Sequence, residues 1–177
     1  MLFCWTKHNI GMELMDFLSG IGGFLIAAIT IYLTVRHFMT SKTISYIERM
    51  NTGEMAQIRA EIDQWMSSDK TDVEKCELAE RDKELSAKLM MWINIFTEIG
   101  ISYKQRIIRR KLTRELFYPM VPNYWRDLLF YINHKRGKGH AIGYYFEYLA
   151  HEVRKMEGKN RSNLFKRYAY MKGKDQQ

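Results

Sequence analysis

The stretch that decides the fold is DFLSGIGGFLIAAITIYLTVRHF, from Asp16 to Phe38. Between Phe17 and Val35 it runs 19 residues without a charge. A helix of that length rises roughly 28 Å, close to the ~30 Å hydrocarbon thickness of a bilayer. Helices buried in soluble folds have shorter apolar runs and usually keep a polar stripe. The polar members here are Ser19, Thr30 and Thr34, whose hydroxyls can bond back to the helix's own carbonyls inside lipid. A cleaved leader needs a positive start, a shorter apolar region and a small-x-small cleavage site. Lys7 is offset by Glu13 and Asp16, and the run ends in Val35-Arg36-His37-Phe38 with no such site. The expectation is an uncleaved transmembrane helix over 17–38, preceded by a short extracytoplasmic tail over 1–16.

The flanks predict orientation. One basic residue, Lys7, precedes the span, and Arg36, Lys42 and Arg49 follow it. The positive-inside rule then puts the N-terminus outside and the C-terminal part in the cytoplasm, single-pass in the cell inner membrane. Ser19, Gly23 and Ala27 recur every four residues on one face. Such a small-residue face lets two membrane helices approach closely, which makes self-association one expectation; the other is that small residues are simply common in membrane helices.

The 139 residues from Met39 onward are of a different character. The chain as a whole has a mean hydropathy of −0.38, so this remainder is a water-soluble polypeptide. Met55, Ile58, Ile62 and Trp65 fall three and four apart, as on an amphipathic helix. Asn51 is read as the cap that starts it, and Thr71 with Glu74 as a capping box for the next. Leu85, Leu89, Trp92, Phe96, Ile99 and Tyr103 alternate spacings of four and three, a heptad seam. One long helix is expected from Asp72 to Tyr103, solvated at first and buried nearly all round at its end. A further helix over 107–118 stops at Pro119, which lacks an amide and clashes with the preceding turn. Asn123 is expected to cap the next helix, and Ile142 to Met156 to form the last. No segment alternates with period two, so no sheet is expected. The fold class is all-α: a single N-terminal transmembrane helix followed by a cytosolic helical bundle of about five helices. The divisions are juxtamembrane helices over 39–70, a helical core over 71–160 and a basic-aromatic tail over 161–177.

Charge is uneven. Residues 104–177 hold 18 Lys and Arg against 6 Asp and Glu, a net of +12, whereas the first 103 hold 10 against 14, a net of −4. One cluster comprises Lys104, Arg106, Arg109, Arg110, Lys111 and Arg114, and another includes Lys166 and Arg167. Three readings fit such a face. One is a solvated face that serves solubility and pairs in part with the acidic helix at Asp72 to Glu84. The second is contact with anionic lipid of the adjoining bilayer, which attracts basic residues at ~1 kcal/mol each. Nucleic acid is the third, with Phe165, Tyr168 and Tyr170 interleaved among the cations, but no nucleic-acid module accompanies them. A protein partner of unknown identity is expected for the domain as well.

Chemistry-bearing motifs are scarce. Gly137-Lys-Gly139 is too short for a phosphate loop, and His151-Glu152 lacks a second histidine. The two cysteines, Cys4 and Cys76, make no metal-ligand spacing. Neither a cofactor nor a metal is expected. Asn94 and Glu98 sit four apart in the most apolar part of the chain. A carboxylate buried there is expected to be bonded to Asn94 and to a basic residue such as Arg126, because an unpaired buried charge costs several kcal/mol. The alternative makes Glu98 a catalytic acid in a pocket.

WINIFTEIGISYKQ (Trp92–Gln105), YWRDLLFYINHKR (Tyr124–Arg136) and YYFEYLAHE (Tyr144–Glu152) resemble, in that order, a bacterial domain-of-unknown-function family. The family's members are small proteins with an N-terminal membrane helix and a helical cytoplasmic domain. The resemblance places Asn94, Glu98, Trp125, Phe146 and Glu147 at the family's motif positions. It implies an architecture and no activity. The functional expectation is therefore an interaction or regulatory protein at the inner face of the membrane, with an enzyme built around Glu98 as the alternative and a tethered nucleic-acid binder third.

Overall fold

The computed structural model describes the backbone over residues 3–155 and the side chains over residues 21–155. The described residues form seven α-helices and no strand: α1 (Phe3–Met50), α2 (Gly53–Met66), α3 (Asp72–Arg81), α4 (Lys83–Lys104), α5 (Arg110–Phe117), α6 (Met120–Gly137) and α7 (Tyr144–Arg154). The chain divides into two units, one ending at Ser41 and one beginning at Lys42.

The first unit is the apolar length of α1. The hydroxyls of Thr30 and Thr34 donate to the carbonyls of Ile26 and Thr30, each at 2.8 Å, so neither polar group is left unsatisfied on an apolar surface. Phe24, Ile26, Ile29, Ile31, Leu33 and Val35 all stand more than half exposed. The helix is long and apolar enough to cross a membrane, and none of that window is buried against protein. Gly23 and Ala27 also lie exposed on α1, whereas the side chain of Ser19 lies outside the described residues.

The second unit is built around α4. That helix packs most extensively on α7, and α2 and α3 cover other parts of it; α6 closes on α7 and α3. The heptad seam is the reason. Leu89, Trp92, Phe96 and Ile99 are fully buried and Tyr103 nearly so. Phe96 stacks on Phe146 of α7 at 4.5 Å between centroids, and Trp92 meets Phe96 and Tyr124 edge-on. Met55, Ile58, Ile62 and Trp65 of α2 are buried in the same core as α4, α6 and α7.

Several helix ends differ from the expectations, each for a local reason. Thr52, not Asn51, caps α2: its hydroxyl accepts from the amide of Met55 at 3.4 Å. Thr71 and Glu74 do form the capping box of α3. The single helix expected from Asp72 to Tyr103 is two. Asp82 leaves the helical region, and its carboxylate accepts from the amides of Glu84 and Leu85, both at 3.0 Å, which starts α4 afresh. Helix α6 begins at Met120, directly after Pro119, so Asn123 lies inside it rather than at its cap.

Candidate functional site

Most of the motif residues meet where α4, α6 and α7 pack. Phe146 is fully buried between Phe96 and the edge of Trp125. Glu147, in the first turn of α7, accepts from Arg136 Nη2 at 3.1 Å. Arg136, at the end of α6, also donates through Nε to the carbonyl of Ile142 at 2.9 Å. Its guanidinium lies 4.4 Å from the centroid of Tyr144 and 5.8 Å from that of Trp125. One side chain thus ties together the end of α6, the connecting loop and the start of α7. A planar fork with five donors can serve a carboxylate, a carbonyl and two ring faces at once. The loop it spans ends in Gly143 at φ 74°, whose α-carbon faces Ile132; a β-carbon there would lie 3.2 Å from that side chain. Arg136 was not among the residues expected to matter, although the charge at the end of the Tyr124–Arg136 motif was its signal.

Gly100 sets the spacing of the two central helices. A β-carbon there would lie 2.1 Å from the carbonyl oxygen of Tyr145, so the backbones of α4 and α7 approach more closely than any other residue permits. The stretch IFTEIG, Ile95 to Gly100, therefore carries its meaning in the glycine as much as in the carboxylate.

Asn94 and Glu98 are exposed, which corrects the expectation of a buried polar pair. Glu98 Oε2 accepts from Arg49 Nη1 at 2.7 Å, with both side chains about half exposed. Arg126 bonds its neighbour Asp127 at 2.8 Å instead. The physical reason is that Ala87, Met91, Asn94 and Glu98 line the outer face of α4, so Asn94 and Glu98 are the polar part of its solvent stripe. None of the described grooves is lined by Glu98.

The basic cluster lies at the end of α4 and on α5. Lys104 Nζ stands 5.2 Å from the Tyr145 ring, and Arg110 donates through Nε to the carbonyl of Tyr103 at 3.3 Å and lies 5.2 Å from its ring. Lys111 is 4.0 Å from Glu115. Arg114 Nε is buried without a hydrogen-bond partner among the described residues. The turn between the helices is anchored to the last turns of α1: the amide of Arg109 donates to Thr43 Oγ1 at 3.1 Å, and Tyr46 and Ser102 share a hydrogen bond of 3.0 Å. Lys166 and Arg167 lie outside the described residues.

An open groove of about 760 Å³ runs between α2, α3 and α6. Asp63, Asp72 and Asp127 line it with Lys75 and Arg126 over Leu129 and Phe130. At its edge Tyr124 donates to Asp63 Oδ1 at 2.6 Å and accepts from Arg59 Nε at 3.1 Å; burial, then Asp63, pushes its phenol up to about 12. The mixture of charges, with carboxylates in excess, does not suit a phosphate backbone. Nearby, Glu80 accepts from His134 Nε2 at 2.8 Å and from Lys138, and these bonds hold its carboxyl down at about 2. Among the described residues, no three His, Cys, Asp or Glu side chains gather to hold a metal ion.

The comparisons with known proteins add one finding. The family described as a domain of unknown function, DUF4760, matches residues 17–167, most of the chain, and the chain belongs to that family. The match runs through the apolar helix as well as the helical domain, so the two occur together in it. No curated protein and no solved structure matches the chain.

Proposed function

As a member of that family, the chain carries its helical domain directly behind an apolar helix, and we propose that it is a membrane-anchored interaction protein acting at the inner face of the cell inner membrane. The observation that carries this reading is the bare apolar surface of α1 from Ile21 to Phe38. Exposing that many large apolar side chains to water is costly at ~25 cal/mol per Å², and a bilayer removes the cost. A buried core helix of a soluble protein has its apolar face covered by its own chain; among the described residues, nothing buries this one. Arg36, Lys42 and Arg49 after the span, against Lys7 before it, favour a cytoplasmic domain and an external N-terminus.

The interaction role rests on how the domain uses its motif residues. Trp125, Phe146, Arg136 and Glu147 are spent on packing and on the α6–α7 connection, which makes a rigid body. What the domain presents outward is a groove rimmed by carboxylates and a separate basic turn. A rigid tethered body with two charged faces suits recruitment of a protein partner to the membrane. Two measurements test the reading. Alkaline carbonate extraction should leave the chain in the membrane pellet, and its release into the supernatant would refute the anchor. Trypsin should digest the domain in inverted inner-membrane vesicles and spare it in right-side-out ones; the opposite pattern would refute the orientation.

A further inference from the structure

We propose that the turn from Gln105 to Arg109 is a headgroup-docking element that presses Arg106, Ile107 and Arg109 onto anionic lipid of the bilayer in which α1 is anchored. The inference rests on the membrane anchor proposed above and adds its partner surface.

The backbone of the turn is the first observation. Helix α4 ends with the amide of Arg106 bonded to the carbonyl of Tyr103 at 3.3 Å and that of Ile107 bonded to Ser102 at 2.9 Å. These are the paired bonds of a Schellman ending, which needs its penultimate residue in the left-handed region, usually glycine. Here that residue is Arg106, at φ 59°, the one non-glycine with positive φ among the described residues. The two backbone bonds explain the conformation but not the choice of arginine, since glycine or asparagine would take it with less strain: the arginine side chain is exposed and has no hydrogen-bond or ion-pair partner among the described residues. A strained residue whose side chain has no internal contact points to an external one.

Position is the second. The amide of Arg109 is held on Thr43, which lies five residues after Phe38, the end of the apolar run. Five residues of chain reach at most ~17 Å however they are arranged. The headgroup layer is itself ~5–7 Å deep, and charges act over ~10 Å at 0.1 M salt. The turn is thus tethered within reach of the phosphates. Side-chain chemistry is the third. Arg106 and Arg109 carry forks that match phosphate oxygens bidentately. Between them Ile107 is 37% exposed, an apolar tip suited to the boundary of headgroups and acyl chains.

The test uses the full chain reconstituted into vesicles, with Cys4→Ser and a donor dye on Leu116→Cys, which lies exposed on α5. Energy transfer to a headgroup-labelled acceptor lipid reads how closely the domain lies on the bilayer. Transfer should rise when part of the phosphatidylcholine is replaced by phosphatidylserine. It should fall back at ~1 M salt, where the screening length is ~3 Å. Arg106→Asn and Arg109→Gln should each lower the ratio of docked to undocked domain roughly fivefold, the ~1 kcal/mol of one cation at the surface. Asparagine tolerates the left-handed region, so Arg106→Asn should melt no lower than the parent while it docks less. Equal transfer on the two lipids, or variants that dock like the parent, overturns the proposal. A salt-sensitive shift with single-stranded RNA and no lipid dependence would assign the cations to nucleic acid and also overturn it. Failure of the anchor shows separately, as a chain that does not float with phosphatidylcholine vesicles after an alkaline wash.

Discussion

Replacing Gly100 with alanine sets two ordinary effects against each other, and their sum has a definite sign. Alanine in a helix interior is favoured over glycine by ~1 kcal/mol. Against this, the new β-carbon would stand 2.1 Å from the carbonyl oxygen of Tyr145, and an ordinary contact begins near 3.4 Å. Relief needs a separation of 1.3 Å, the difference of those two distances, between the backbones of α4 and α7. No flexible side-chain end is available to give way, because the obstacle is main chain. The movement would loosen the Phe96–Phe146 stack and the Tyr103–Tyr148 contact, which lie on the same seam. A radial gap of 0.5–1 Å already forfeits a quarter to a half of a dispersion contact. Overpacking of this kind costs ~1–3 kcal/mol, and backbone against backbone belongs at the top of that range. The net expectation is a loss of ~2 kcal/mol, or ~5–10 °C in melting temperature for a domain of this size. Gly137→Ala is the control, since nothing lies within 4 Å of the position. It should hold or raise the melting temperature. Circular dichroism melts of the two variants in detergent decide the matter. A Gly100→Ala chain that melts at or above the parent would refute the close approach of α4 and α7.

Arg136→Lys should cost ~1–2 kcal/mol in a urea midpoint, because an ammonium cannot serve Glu147, the Ile142 carbonyl and two rings together. Glu98→Ala should cost less than ~1 kcal/mol, the ordinary worth of a half-exposed ion pair; a loss of ~3 kcal/mol would restore a buried role. Glu80 has its carboxyl lowered from 4.5 to about 2 by Lys138 and His134, so its ionised form stabilises the fold above the ordinary value and that stabilisation is lost as pH falls toward 2. The melting temperature of Glu80→Gln should therefore depend less on pH over that interval, and an unchanged profile would show that the bonds are not made.

The all-helical fold was legible from periodicity: Met55, Ile58, Ile62 and Trp65 are buried on α2, and Leu89, Trp92, Phe96, Ile99 and Tyr103 on α4, as their spacing implied. The error at Glu98 came from reading local composition in place of period. Ile93, Ile95, Phe96 and Ile99 make the segment look apolar on all sides, yet Ala87, Met91, Asn94 and Glu98 repeat at four, three and four and trace the outer face. Asp82 was hidden differently: a cap residue within a run of charges looks like one more solvated group until its amide partners are seen. Gly100, Gly143 and Arg136 depend on which helices meet, and no spacing along a single helix contains that information. The turn at Arg106 is similar, because nothing local marks an arginine that must take a left-handed conformation.

The burial of Cys76 changes what a thiol reagent can learn from this chain. The side chain is 3% exposed, and burial, then Asp72 and Glu80, pushes its thiol up, so little reactive thiolate exists and none of it is accessible. Sidedness of the membrane is therefore invisible at this position: a maleimide on either face meets the same closed helix. What alkylation at Cys76 does measure is time. Each modification records an excursion in which α3 lifts from α4 and α6, and its rate against reagent concentration yields the frequency of that opening. A cysteine placed next door at exposed Glu77 would report the side of the bilayer within seconds. The native one, left in the dark, keeps a clock on the stability of the domain.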